Sequence, residues 1–211
     1  MSARTHRQRR RGRSAAAALA LAALTACGDP EPSGLSASGL HDTARGAAEE
    51  TKECPVGYDL GKAASAARVP GRAEQVRARA ELADKADEDA PIRTFEATDL
   101  ECDYRLGGEP MAVQTVAAGH GDAVGLMGPL ITRNAGLDVA GLRTYLAATK
   151  KAAHGTPVLT PGGNVASVRL DAAEGDSVAL VITYGSDDEG TELTAAQVKS
   201  LSKELAAQAD W

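Results

Sequence analysis

Three cysteines are the residues of this chain best suited to covalent chemistry, and their odd number leaves one of them without a partner. Cys27 closes the stretch LTAC, which follows a short apolar run at residues 15–24. Six arginines and no acidic residue precede Cys27. A run this short falls well below the roughly 20 apolar residues of a membrane span. A basic segment, a short apolar core and small residues before a cleavage point are instead typical of an export signal.

The LTAC stretch resembles the lipobox of bacterial lipoproteins. The resemblance implies transfer of a diacylglyceryl group to the Cys27 sulfur, cleavage before Cys27, and acylation of the new amino terminus, for example with palmitate. Residues 1–26 would be the signal peptide, and the lipid would hold the mature protein on the outer face of the cell membrane. The alternative is an ordinary signal peptide cut near Ala26. Both general secretion and twin-arginine export stay open.

The remaining two cysteines suit a disulfide bond. An exported protein enters an oxidising compartment, where Cys54 and Cys102 can pair. The alternative is a redox-active or metal-binding pair, but neither residue lies in a C-x-x-C motif and no nearby histidine completes a zinc-ligand spacing. We therefore predict a structural Cys54–Cys102 disulfide, worth roughly 4 kcal/mol in the chain-entropy description.

Other chemistry-bearing residues form no recognisable catalytic pattern. The chain has no H-E-x-x-H, G-x-S-x-G or P-loop motif. The glycines of GHGDAVG (119–125) favour a turn over a dinucleotide loop. The acidic stretch SDDEGTE (186–192) could bind calcium, but it lacks the alternating order of an EF-hand loop, so a solvated loop is the preferred interpretation. His41, His120 and His154 are expected in solvent. We expect neither catalytic residues, nor a metal, nor a cofactor.

The charge of the mature chain excludes some partners. Without residues 1–26, 17 basic and 29 acidic residues remain, a formal charge of −12. Phosphate backbones and anionic lipid head groups should repel such a protein. We therefore expect no nucleic-acid partner, and membrane attachment through the lipid on Cys27.

Composition divides the chain into three parts. Residues 1–26 are the signal peptide. Residues 27–53 are rich in proline, glycine and serine and predict a flexible, disordered tether, although the part from Leu40 onward could form a transient helix. Residues 54–211 suit a single domain with one core. Because aromatic residues make up only 3% of the chain, that core must consist largely of alanine, valine and leucine.

The periodicity of the domain predicts both helices and strands. Residues 58–71 predict a short helix capped by Asp59, and good helix formers make residues 72–90 a solvated helix or mobile insertion. Alternation of apolar and polar residues predicts strands; these cover residues 92–98, 100–106, 111–118, 164–170 and 177–185. Two amphipathic helices are predicted at residues 138–152 and 194–208. Paired strands between helices indicate an α+β fold, an antiparallel sheet flanked by helices.

This layout resembles that of small actinobacterial lipoproteins. The resemblance rests on the lipobox, the tether, a cysteine before the first helix, a second cysteine in the ECDY strand, and the closing amphipathic helix. It implies the α/β/α sandwich of the Mog1/PsbP-like group. Residues 72–90 depart from that layout. The group has no agreed activity, so no catalytic residue is carried over to this chain.

Three functions fit these observations. The first is a non-enzymatic binding or interaction module of the cell envelope, with an envelope protein as partner. The second is a carrier or sensor of a small apolar or glycolipid ligand, held between sheet and helices by Leu126, Met127, Leu130 and Ile131. The third is a hydrolase with an unrecognised site. A cavity of a few hundred Å³ would favour the carrier or sensor.

Overall fold

An antiparallel sheet of six strands organises the domain, as the alternation predicts. The computed structural model describes residues 35–47, 50–185 and 191–209. The strands are β1 (Ala73–Leu82), β2 (Ala97–Leu106), β3 (Glu109–Ala118), β4 (Val158–Leu159), β5 (Val165–Leu170) and β6 (Ser177–Tyr184). Their order across the sheet is β1-β2-β3-β6-β5-β4, and every neighbouring pair is antiparallel.

Helices cover both faces of this sheet. They are α1 (Ala37–Ala44), α2 (Leu60–Ala66), α3 (Pro91–Thr94), α4 (Ala123–Leu126), α5 (Gly128–Ala135), α6 (Val139–Lys151) and α7 (Ala195–Ala206), and a 3₁₀ turn, Arg45–Ala47, follows α1. Alternate residues of a strand face opposite sides, so Val113 packs with α1, α2 and α7 whereas Val116 packs with α4, α5 and α6. We call the first side the covered face and the second the pocket face. The predicted α+β class is confirmed.

Helix caps form where the sequence predicts them. The Asp59 side chain accepts a hydrogen bond from the Lys62 amide at the start of α2. Thr194 and Gln197 form a reciprocal capping box at the start of α7. Each cap satisfies amides that a helix start otherwise leaves without a partner, so these side chains fix where the helices begin.

The covered face holds the larger apolar core. Leu100, Cys102, Tyr104 and Leu106 are all buried there, as the alternation of β2 predicts. The predicted stripe of α7 packs over β5 and β6 on the same face, with Val198, Leu201 and Leu205 fully buried.

The segment before Cys54 differs from the prediction. Residues 35–47 are folded rather than a flexible tether, and Leu40, Ala44 and Ala47 are fully buried. Their spacing of four and three residues is a helical stripe, easily missed because two of its three members are alanines. Thr51 also pairs with Ala78 at the edge of β1. Cys27, the predicted signal peptide and the first part of the predicted tether lie outside the described residues.

Residues 72–90 also differ from the prediction, because they contain strand β1 instead of a helix. Ala78, Ala80 and Leu82 alternate toward the covered face, and pairing with β2 outweighs the helix propensity of this alanine-rich stretch. A bulge between Gln75 and Arg77 breaks the alternation and leaves Val76 48% exposed. Because of this bulge, the hydrophobic periodicity of the sequence does not indicate a strand here.

Two smaller predictions are corrected as well. The strand predicted over residues 92–98 is replaced by α3 and a turn as far as residue 96, and only residues 97–98 belong to β2. Helix α3 begins at Pro91, a residue favoured in the first helical turn.

In α6, the spacing of Val139, Leu142 and Leu146 predicts the buried stripe. Leu142 and Leu146 do pack against the pocket-face core, but Val139 is 68% exposed, and Tyr145 and Thr149 are the buried residues. The Tyr145 hydroxyl donates to Ser167 Oγ at 2.8 Å, which anchors α6 to β5.

Candidate ligand-binding pocket

A cavity of about 290 Å³ lies on the pocket face, between the sheet and helices α3, α4 and α5. Most of its wall is apolar. The apolar lining consists of Pro91, Ile92, Ala97, Val116, Leu126, Met127, Pro129 and Leu130; the polar lining consists of Glu81, Asp99 and Arg133. An apolar concavity with a few polar groups is the usual form of a small-molecule site.

The strands build the floor of this pocket and the helices build its walls. Ala97 on β2 and Val116 on β3 are buried beneath it. Exposed residues, among them Pro91 and Pro129, form its rim, so the cavity opens to the surface. Small side chains on the strands therefore leave the space that the helices enclose.

The predicted pocket residues divide between this cavity and the core. Leu126, Met127 and Leu130 line the cavity. Ile131 does not line it, because its side chain is fully buried in the pocket-face core. On a helix, residues 130 and 131 point about 100° apart, which separates a wall residue from a core residue.

Asp99 is the polar residue that distinguishes this pocket. Its Oδ1 atom is shielded from solvent and has no hydrogen-bond partner among the described residues. Two other buried side-chain atoms there, Tyr104 Oη and Gln114 Oε1, also lack partners, but neither residue lines the cavity. Asp99 thus places an unsatisfied carboxyl group in an apolar wall.

The surroundings of Asp99 favour its neutral form. Burial raises the pKa of its carboxyl group to about 7, and the nearby carboxylates of Glu101 and Glu81 add to the rise, while Arg79 acts against it. Glu81 lies directly across from Asp99 on β1. The group therefore titrates near neutral pH.

The next two carboxylates along β2 are satisfied. Glu101 lies 2.8 Å from Arg79 Nη2 and accepts a hydrogen bond from Gln114 Nε2 at 2.9 Å. Asp103 accepts one from Arg77 Nε at 2.6 Å. Only at Asp99 does a glutamate replace the arginine across the strand pair. Sequence reasoning missed Asp99 because this arrangement emerges only when residues 73–82 are read as a strand.

The disulfide lies apart from the pocket. Cys54 and Cys102 are bonded, with their Cα atoms 5.6 Å apart. Cys102 is buried on the covered face, whereas Asp99, three residues earlier, lines the opposite face. The disulfide is therefore a structural bond that takes no part in forming the pocket.

The remaining sequence candidates do not converge on one place. Each mature histidine has its own carboxylate neighbour; the pairs are His41–Asp84, His120–Glu96 and His154–Asp171. The GHGDAVG stretch turns from β3 into α4, with Asp122 as the cap of α4. Of the acidic stretch 186–192, residues 186–190 lie outside the described part. Within that part, no group of three His, Cys, Asp or Glu side chains is placed to hold a metal ion.

Comparison of the chain with protein-family models, with curated proteins and with solved structures gave no match. No helix within residues 35–47, 50–185 and 191–209 is long and apolar enough to cross a membrane. The pocket and its unpaired carboxyl group are therefore the features that carry a functional proposal.

Proposed function

We propose that the protein is an extracytoplasmic lipoprotein whose domain binds a small apolar ligand, as a carrier or sensor on the outer face of the cell membrane. The observation that carries the proposal is the apolar cavity of about 290 Å³ on the pocket face. In this proposal the domain is a non-enzymatic binding module of the cell envelope, which is the first function favoured by the sequence. Its ligand is the small apolar molecule of the second function.

The volume of the pocket limits what it can enclose. A dry cavity of about 150 Å³ holds one benzene molecule, so 290 Å³ suits a ligand of roughly ten non-hydrogen atoms. A whole glycolipid is too large, and only the end of an acyl chain would fit. The ligand is therefore a small molecule or the tip of a larger one.

The lining favours binding over catalysis. It contains no serine, threonine, cysteine, histidine or lysine that could act as a nucleophile. Glu81 and Asp99 could serve as an acid and a base, but the apolar wall offers few donors to hold a polar substrate such as a sugar. The pocket is better matched to an apolar guest that is held and released unchanged.

The proposed location on the outer face of the cell membrane rests on Cys27 in LTAC. The Cys54–Cys102 disulfide supports it, because such bonds persist in oxidising compartments and are rare in the cytosol. Expressed in the native host, Cys27→Ala should leave the membrane fraction. Unchanged retention of this variant in the membrane would contradict the lipid anchor.

Methionine methyl NMR tests the pocket directly. Met127 lines the cavity whereas Met111 is buried on the covered face, so the second serves as an internal control. In the full chain carrying carbon-13 methyl labels, n-butylbenzene should shift the Met127 signal in a saturable way and leave Met111 unmoved. Native mass spectrometry of protein from its own host should also show a bound small molecule.

A pocket-filling variant completes the test. Leu130→Trp should abolish the Met127 shift, while Val139→Trp, which changes an exposed residue of α6 outside the pocket, should leave it intact. A bare mass together with no Met127 response in the wild-type protein would overturn the proposed function. Equal responses in both tryptophan variants would place the binding elsewhere.

A further inference from the structure

We propose that the pocket ligand carries a primary ammonium group, which Asp99 binds inside the cavity while the apolar remainder packs against Met127 and Leu130. The inference rests on the proposed function and names the chemical class of its ligand. It is an apolar monoamine of roughly ten non-hydrogen atoms, the number that the cavity of about 290 Å³ accommodates.

The first reason is that Asp99 lacks a hydrogen-bond donor. Buried polar atoms in folded proteins nearly always have a partner, and one without a partner is costly. Oδ1 of Asp99 is buried without a partner, and Asp99 is the residue with such an atom that also lines a cavity. A ligand that brings N–H groups into the cavity would satisfy the carboxyl group.

The second reason is the sign of the charge around that group. Glu81 faces Asp99 from β1, and Glu101 follows it on β2. Arg79, the cation acting on Asp99, is held by Glu101 at 2.8 Å. Arg133 on α5 stands at the exposed rim, and α3 and α4 contribute only apolar side chains to the wall. Glu81 and Arg133 are both exposed and carry opposite charges, so the carboxyl group of Asp99 is the charge that faces the interior of the cavity, which favours a cationic guest over an anionic one.

The third reason is that a monovalent ammonium matches the site better than a metal ion does. Calcium and magnesium take six or more oxygen ligands, and the lining offers two carboxyl groups in a mostly apolar wall. An ammonium group needs only a few acceptors and leaves its carbon chain for the hydrophobic surface. The lining has a small acidic part and a large apolar part, which match the cationic ammonium group and the hydrocarbon part of an apolar amine, respectively.

Protonation of Asp99 adds a pH dependence to this binding. With its pKa near 7, the carboxyl group is ionised at pH 8 and mostly neutral at pH 5.5. An alkylammonium stays charged over this range, since the lysine amine titrates near 10.4. Because neutral Asp99 should bind the amine no more tightly than an alcohol of the same shape, linkage predicts that amine affinity falls about 8- to 23-fold from pH 8 to pH 5.5.

Two probes of the same shape separate this inference from the proposed function. The probes are 4-phenylbutylamine and 4-phenylbutan-1-ol, titrated into the full chain with Met127 as reporter. At pH 8 the amine should bind about 10- to 100-fold more tightly, the range for a hydrogen bond to a charged group. The alcohol should bind equally at both pH values.

Two matched variants locate the effect. Asp99→Asn should lower amine affinity to that of the alcohol and leave the alcohol unchanged. Asp103→Asn removes the same charge from the same strand, outside the cavity, and should keep the preference for the amine.

Each other outcome has a defined meaning. Equal affinities for amine and alcohol, a preference that survives in Asp99→Asn, or tighter binding of 4-phenylbutyrate would overturn the inference and leave the proposed function standing. No Met127 response to any of the probes would overturn both.

Discussion

The two faces of the sheet are built for different purposes. On the covered face, three helices bury apolar side chains, and two buried tyrosines are hydrogen-bonded there, Tyr58 to Thr115 and Tyr184 to Ser202, both at 2.8 Å. On the pocket face, the side chains near β1 and β2 include carboxylates and arginines, and a cavity opens beside them. The packing of the covered face therefore stabilises the domain, whereas the pocket face keeps an open cavity that is available to a ligand.

The pocket face itself changes character along β2. Asp103 and Glu101 each oppose an arginine on β1, whereas Asp99 opposes Glu81. Opposite charges across a strand pair stabilise a sheet, and like charges destabilise it. The pairing rule fails at Asp99, the acidic residue of β2 that lines the cavity, which is the pattern expected where a fold gives up stability for binding.

Removal of the disulfide should have the largest effect on the covered face. The bond links residues 48 positions apart, so Cys54→Ala together with Cys102→Ala should lower the free energy of unfolding by about 4 kcal/mol. Urea unfolding of the double variant measures this loss. Wild-type protein kept under a reducing agent should unfold at nearly the same urea concentration, and a loss below 1 kcal/mol would show that the covered face does not depend on the bond.

Two leucines compare the faces at the same kind of side chain. Leu201 is fully buried under α7, so Leu201→Ala should cost about 3 kcal/mol through lost burial and a new cavity. Leu130 is half-buried and already borders the pocket, so Leu130→Ala should cost about 1 kcal/mol. Both values come from urea unfolding. Equal losses would mean that the pocket wall is as essential to the fold as the core.

Sequence alone predicted the fold class because its signals are strong in the buried strands. The predicted bounds of β2, β5 and β6 lie within three residues of the observed ones, and the helices α2 and α7 begin at the predicted caps. It failed at β1, where alanine, glutamate and arginine favour a helix and only pairing with β2 decides otherwise. It also failed at α1, whose stripe has a single large residue, Leu40.

The candidate site was accessible to sequence reasoning only in part. Leu126, Met127 and Leu130 were predicted as pocket residues and line the cavity. Asp99 was not, because its significance comes from the residue opposite it and from burial by distant helices. The residue opposite Asp99 and the helices that bury it are both distant from it in the sequence, so a local pattern does not reveal them.

The effect of the charge of Asp99 should be smaller than that of the disulfide and should depend on pH. The folded pKa of about 7 lies above the unfolded value near 3.8, so folding holds a proton that unfolding releases between these limits. This contribution to stability is complete below pH 4 and is lost as the pH rises through 7. Water at the open rim lessens the cost of the charge, so Asp99→Asn should be the more stable protein at pH 8 by on the order of 2 kcal/mol.

The pH series from 4 to 8 measures this difference by urea unfolding of the two proteins side by side. Asp99→Asn and wild type should converge near pH 4 and separate progressively toward pH 8. Asp103→Asn removes the charge that pairs with Arg77 and should not separate from wild type in that direction. Parallel curves for Asp99→Asn and wild type would mean that the Asp99 carboxylate is solvated in the folded protein. In that case burial of the Asp99 carboxylate would not lower the free energy of unfolding, and the pocket face would not be less stable than the covered face on its account.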